Sequence, residues 1–150
     1  MTKIQFVCHG NICRSPMAES VMAYLVKEKG LTNIQVSSAA TSTEELGNPV
    51  HPGTRRILEQ YHIPLVPHHA RQMTRQDGEE YDYLIGMDSV NLRNIARIAG
   101  SMEKVFGLLD WSSLPRDIAD PWYTGDFDAT FRDVWEGCNS MLDMLLKNDM

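Results

Sequence analysis

A thiol, a guanidinium and a hydroxyl fall close together in the segment Cys8-His9-Gly10-Asn11-Ile12-Cys13-Arg14-Ser15, at C-x5-R-S spacing. A thiolate is a strong nucleophile, but a free cysteine with a pKa of about 8.5 is only a few per cent ionised at neutral pH. A chain wrapped so that successive N–H groups point inward makes an anion-binding nest, and a helix starting just beyond it adds the positive end of its dipole. Both features favour a Cys8 thiolate, and the same donors suit the oxygens of a phosphoryl group. Arg14, returning to the mouth of the loop, offers a planar fork that grips two oxygens at once, which lysine cannot do. Gly10 allows positive φ and close backbone approach, and Asn11 is the next most tolerant residue for a left-handed turn. His9 brings a titratable cation to the mouth. The segment predicts a phosphate cradle with a nucleophile at its floor.

The elements around it are those that position such a cradle. Lys3–Val7 reads as a strand, and further strand-like runs recur at Ile34–Ser37, Tyr83–Met87 and Lys104–Leu109. Helical patterns lie between them, and alternation of strand and helix predicts a parallel α/β sheet, doubly wound, with helices on both faces. Met17, Ala18, Val21, Met22, Leu25 and Val26 repeat at helical spacing after the cradle. Ser15 falls where an N-cap belongs, with Pro16 at the first helical position and Gly30 available to close the helix. Two further helices are expected, one from Pro52 through Tyr61 and one from Asp88 to Gly100. A final helix is expected beyond these, in which Phe131, Val134, Trp135, Cys138, Met141, Leu142 and Leu145 form one apolar stripe. In open α/β sheets ligands bind beyond the carboxyl ends of strands, which is where Cys8 falls.

Composition narrows the classes. A chain of 150 residues fits one domain, 1–150. A formal net charge of −6 argues against nucleic acid or an acidic membrane as the main partner, so a phosphorylated ligand has to be drawn by a local positive cradle. No leader pattern precedes the first strand, and no apolar run approaches the ~20 residues of a membrane helix. Three cysteines in no disulfide framework suit a reducing cytoplasm, the expected location. His51, His62, His68 and His69 show no ligand spacing with those cysteines, so neither a metal nor another cofactor is expected. Cys138, in the middle of the apolar stripe, reads as core, whereas Cys13 inside the cradle reads as a redox partner for Cys8.

Asp120-Pro121-Trp122-Tyr123 is the other segment able to do chemistry. A phenolic leaving group has a conjugate-acid pKa near 10, so a carboxylic acid that donates a proton as the P–O bond breaks contributes ~10²–10⁴-fold. Asp before Pro is also a common turn starter, and spacing alone leaves both roles open. Asp117, Asp126 and Asp128 are nearby carboxylates that read more simply as loop or helix-cap residues.

Cys-x-Gly-Asn-Ile-Cys-Arg-Ser-Pro-Met-Ala-Glu at 8–19 resembles the active-site loop of the low-molecular-weight protein tyrosine phosphatases. The resemblance extends to Ser38-Ala39-Ala40-Thr41-Ser42, Gly47-Asn48-Pro49, His69-Ala70-Arg71-Gln72, Met87-Asp88-x-x-Asn91-Leu92 and Asp120-Pro121-Trp122-Tyr123, in the family's order and over nearly the whole chain. It implies a four-stranded sheet in order 2-1-3-4. It implies Cys8 as the nucleophile that forms a phosphocysteine, Arg14 as the oxyanion clamp and Asp120 as the general acid. By the same resemblance, His9, Gly10, Asn11, Ile12, Cys13 and Ser15 surround the phosphate, with Ser15 donating to the Cys8 sulfur. Trp122 and Tyr123 wall a deep cleft for a phenyl ring, Asn11 and Ser38 hold the loop's shape, and His68 supports them. The expected substrate is a tyrosine-phosphorylated protein, with phosphate and other oxyanions as ligands, for a monomer or weak dimer.

Two positions depart from many relatives: His9, where an apolar residue is common, and Glu44, aromatic in some. His9 adds positive charge near the mouth, and Glu44 disfavours acidic peptides. Three rival readings share the scaffold or the ligand. An arsenate reductase needs further relay cysteines, and none lies between Cys13 and Cys138. A phosphoarginine phosphatase resembles this chain but carries Thr where Ile12 stands. A catalytically silent phosphotyrosine-binding module has no use for an acid such as Asp120.

Overall fold

The computed structural model describes residues 1–148. Strand β1 (Thr2–Cys8) pairs on one side with β2 (Ile34–Ala40) and on the other with β3 (Tyr83–Gly86), which pairs with β4 (Val105–Gly107). All three pairings are parallel and the strand order is β2-β1-β3-β4, the order implied by the family resemblance. Register places Cys8 opposite Ala40 and Val7 opposite Gly86, so the nucleophile candidate ends the central strand just where β3 has finished.

Side chains along β1 alternate between two apolar layers, as the strand's period of two requires. Ile4, Phe6 and Cys8 enter a core with Met17, Val21 and Met22 of α1 (Arg14–Glu28) and with Val134, Cys138, Met141 and Leu142 of α6 (Phe127–Asn148). Ile57 and Leu58 of α2 (Pro52–Gln60) join the same layer. Val7, Ala39 and Leu84 face the other way and pack on Ile95 of α4 (Ser89–Ala99). A short helix, α3 (Arg75–Glu80), precedes β3, and one turn, α5 (Pro121–Thr124), precedes α6. Close approach of α6 depends on Gly137, where a Cβ would stand 2.6 Å from Leu108 Cγ.

Several expectations need correction. Helix α1 begins two residues earlier than expected, at Arg14 in place of Pro16, with Cys13 as its cap residue and no side-chain cap at all, so Ser15 is not the N-cap. Strand β4 covers only three residues, although Leu108 and Leu109 beyond it are buried. Helix α3 has no apolar periodicity to announce it; a Thr74–Asp77 capping box starts it, since both side chains answer each other's backbone N–H. Trp135 does not share the buried stripe of α6: it is 39% exposed, at the edge of an open recess.

Candidate active site

The cradle's shape follows from where its backbone groups go. The carbonyls of Cys8, His9, Ile12 and Cys13 are all taken from outside the loop. They accept from Thr41 N–H (2.9 Å), Ser42 N–H (3.1 Å), His51 N–H (2.8 Å) and the Thr54 hydroxyl (3.1 Å) respectively. With the carbonyls drawn outward, the amides turn inward. Among the described residues, none of the N–H groups from His9 to Cys13 donates to another protein atom. Amides left without protein acceptors are uncommon in a folded chain, and five in succession along the lining of an open recess form an anion nest.

Asn11 holds the turn. Its φ is +59°, the left-handed region expected of it, whereas Gly10 does not have positive φ. Gly10 matters through crowding instead, because a Cβ there would lie 3.3 Å from Glu45 Cγ. Every polar valence of the buried Asn11 amide is used. Its Nδ2 donates to Ser15 Oγ (2.8 Å) and Ser38 Oγ (3.0 Å), and its Oδ1 accepts from His68 Nε2 (2.6 Å) and Arg71 N–H (3.2 Å). The Ser38 hydroxyl in turn donates a hydrogen bond to Glu19 Oε1 at 2.6 Å, and burial pushes the Glu19 carboxyl up from its ordinary value. Since Ser15 Oγ already accepts from Asn11, its hydroxyl proton is free to point at Cys8 Sγ, 3.0 Å away. While Cys8 is a thiol either atom can donate in that contact; against a thiolate only the Ser15 hydroxyl can.

Arg14 is 2% exposed. Its Nη1 donates to Asp88 Oδ2 (2.7 Å) and to the Ile118 carbonyl (2.8 Å), and its Nη2 reaches Asp120 Oδ2 at 3.4 Å. Burial alone would weaken its charge, but Cys8, Asp88 and Asp120 around it more than offset that and hold the guanidinium firmly protonated. Half of the fork is therefore fixed by the protein and half faces the recess. Asp120 caps α5 through Oδ1, which accepts from Trp122 N–H at 3.0 Å, while Oδ2 turns to Arg14. Its rivals are committed elsewhere: Asp117 accepts from Ser89, and Asp126 from Ala129 N–H at the start of α6.

Together Cys8, His9, Gly10, Asn11, Ile12, Cys13 and Arg14 line a recess of about 110 Å³, closed at the rim by Asp120, Trp122 and Tyr123 and by Glu44 and Glu45. Ser15, Ser38 and His68 stand behind it and touch the recess only through Asn11 and Cys8. Tyr123 is 84% exposed, so the aromatic wall is shallower than expected. Trp122 packs edge-on against His51 at 5.8 Å. His9 and Glu44, each expected to act alone on the mouth's charge, are paired at 3.0 Å. Cys13 and Cys138 are buried free thiols; burial pushes Cys13 up to about 12 and Cys138 further.

Two residues of the site were missed by spacing arguments. Asp88 was legible only as a helix start, which it is, but its second oxygen anchors Arg14. Glu19 had no signal beyond its place in the Pro-Met-Ala-Glu stretch, since a carboxylate on a helix next to a core is ordinarily solvated.

The family model for low molecular weight phosphotyrosine protein phosphatases matches residues 3–150, and the chain belongs to that family. A Staphylococcus epidermidis relative, the low molecular weight protein-tyrosine-phosphatase PtpA, is 39% identical over 99% of this chain and 96% of its own. Among solved structures, YfkJ from Bacillus subtilis superposes with a TM-score of 0.95 at 37% identity, covering 100% of this chain and 98% of that one. The Drosophila arginine phosphatase superposes with a TM-score of 0.90 at 27% identity over 96% and 98% of the two chains, so the scaffold alone does not choose the leaving group.

Proposed function

We propose that this chain, acting as one domain over 1–150, is a protein tyrosine phosphatase that works through a phosphocysteine intermediate. The observation that carries the reading is the nest of unpartnered amides from His9 to Cys13, which shares one recess with Cys8, Arg14 and Asp120. A phosphate dianion in the nest accepts those N–H groups on its oxygens, and the recess-facing side of Arg14 takes the place of a bridging donor. Cys8 Sγ attacks phosphorus in line with the phenolic oxygen. As charge shifts onto the equatorial oxygens, donors already in place stabilise it without rearrangement, the term that dominates phosphoryl transfer.

Asp120 completes the cycle. With the recess empty its Oδ2 pairs with Arg14; a bound dianion competes for that donor and favours a proton on the carboxyl. That proton goes to the phenolate as the P–O bond breaks. The carboxylate so formed accepts a proton from the water that hydrolyses the Cys8–phosphorus bond, which releases phosphate and restores both groups. Ser15, donating to the sulfur, makes Cys8 a better leaving group in that step. Ile12 and Trp122 offer apolar contact to an aryl group, which favours phosphotyrosine over phosphoarginine. The setting that fits is cytoplasmic, with tyrosine-phosphorylated proteins as substrates, no cofactor, and a monomer or weak dimer. Among the described residues no helix is long and apolar enough to cross a membrane.

Hydrolysis of p-nitrophenyl phosphate and a phosphotyrosine peptide in EDTA tests the reading. Activity that survives the chelator and is absent from Cys8→Ser is the expected result. Metal-dependent turnover, or an active Cys8→Ser protein, would overturn it.

A further inference from the structure

A second recess, sharing no lining residue with the catalytic one, opens between α1, the end of α2 and α6. Its volume is about 390 Å³, within the range of pockets that hold small organic molecules. Ile63 and Phe131 form a buried floor, and Tyr24, Tyr61 and Trp135 stand around it. Three of the rings are stepped and nearly parallel: Tyr61 stacks on Phe131 at 4.2 Å and 10°, and Phe131 on Trp135 at 6.1 Å and 26°. Tyr61 remains 46% exposed, so ring surface of the kind that normally seeks cover is left open to the recess.

Its polar lining has one sign. Arg132 is the single charged residue of the recess, and it forms no ion pair among the described residues. The acids near it on α6 do not neutralise it. Asp133 and Glu136 are both bound to Arg116, and Asp128, one turn away, makes no contact with it within ion-pair distance. The hydroxyls of Tyr24 and Tyr61 likewise have no protein partner among the described residues, which leaves phenolic donors at the rim. Arg132 is thus left beside the stacked rings with no carboxylate of the described residues paired to it.

We propose that this recess is a binding site for a planar aromatic anion, a carboxylate or sulfonate, whose rings continue the Tyr61–Phe131–Trp135 stack while its charge meets Arg132. Arginine suits this pairing because its weakly hydrated planar fork binds an oxyanion and tolerates aromatic neighbours.

The test uses two fluorescent probes on the full-length protein, with saturating inorganic phosphate in the catalytic cradle. 8-Anilinonaphthalene-1-sulfonate carries the anion, and N-phenyl-1-naphthylamine has the rings without it. The sulfonate should bind one to one and persist in phosphate. Arg132→Gln should weaken the sulfonate about tenfold, the scale of one charge-assisted hydrogen bond, and leave the neutral amine unchanged. Trp135→Ala should weaken both probes. Hydrolysis of p-nitrophenyl phosphate, retained by both variants, shows that each is folded. Loss of the sulfonate signal in phosphate would place the probe in the cradle and overturn the inference. So would equal binding by wild type and Arg132→Gln, or no saturable binding at all.

Discussion

The loop from Cys8 to Ser15 and the segment from Asp117 to Asp126 face each other across one recess, yet they are built on opposite principles. The loop is buried and over-determined: four of its carbonyls are held by four other positions, and Asn11 spends all four of its hydrogen-bonding valences within the protein. The Asp120 segment is anchored at Ile118, whose carbonyl accepts from Arg14 at 2.8 Å, but beyond it Asp120 caps a single helical turn, Trp122 and Tyr123 are largely exposed, and Asp120 itself reaches the loop only at 3.4 Å. The difference matches what each does. Oxyanion stabilisation gains from donors that never move, whereas a group that gives and takes back a proton has to exchange partners during turnover.

The rigid side should be the less forgiving. Arg14→Lys retains the charge but loses the planar fork that joins Asp88, the Ile118 carbonyl and the recess. A fall in kcat/KM of about 10³-fold or more is expected, the scale of losing preorganised oxyanion donors. The loss should be equal for every aryl phosphate. Steady-state kinetics measure it; near-normal activity in Arg14→Lys would mean that charge alone suffices and that the cradle's rigidity is incidental.

Asp120→Ala should cost less and in a different pattern. Single-turnover release of phenol from phenyl phosphate, whose leaving group has a pKa near 10, should slow about 10²-fold. An aryl phosphate with a strongly acidic phenol should slow far less, because its oxygen leaves without a proton. A uniform loss across the leaving-group series would remove Asp120 from the acid's role. The contrast between the two regions would then be one of exposure only, with no chemical meaning.

How much of this was legible in the sequence divides along the same line. The cradle is a local object: C-x5-R-S after a strand, with Asn11 at the turn, is enough to predict the nest, and β1 and α1 flank it as their patterns require. What was not legible is what comes from far away in the chain. Asp88 anchors Arg14 across 74 positions, and no periodicity distinguishes a helix cap that also binds a guanidinium from one that does not. Ser15 carries a cap residue's signature but is turned to the sulfur by Asn11. Gly10 looked like the left-handed residue, yet Asn11 takes that conformation and Gly10 yields space to Glu45. Trp135 shows the limit of pattern reading on helices: apolar spacing says which face a residue shares, and whether another element covers that face is a tertiary fact.

The smallest effect concerns stability and belongs to the rigid side alone. Burial holds the Cys13 thiol up to about 12, against roughly 8.5 for an unfolded cysteine. The sign follows from proton binding. Below pH 8.5 both states keep the proton and the shift contributes nothing. Above it the unfolded chain ionises while the folded one does not, so stability falls as pH rises, until the folded thiol ionises near pH 12. The slope approaches ~1.4 kcal/mol per pH unit for one such group as an upper bound. The buried Cys138 adds a fall of the same sign, so Cys13→Ser has to be compared with wild type, not judged by its own pH profile. With no titrating thiol at position 13, the variant should lose less stability than wild type between pH 8 and pH 10. The expected gap is about 2 kcal/mol at pH 10, read from urea unfolding at each pH. Parallel curves for the two proteins would show that water reaches Cys13 as readily as it reaches the exposed Asp120 segment, and the distinction between a sealed loop and an open one would fail at that residue.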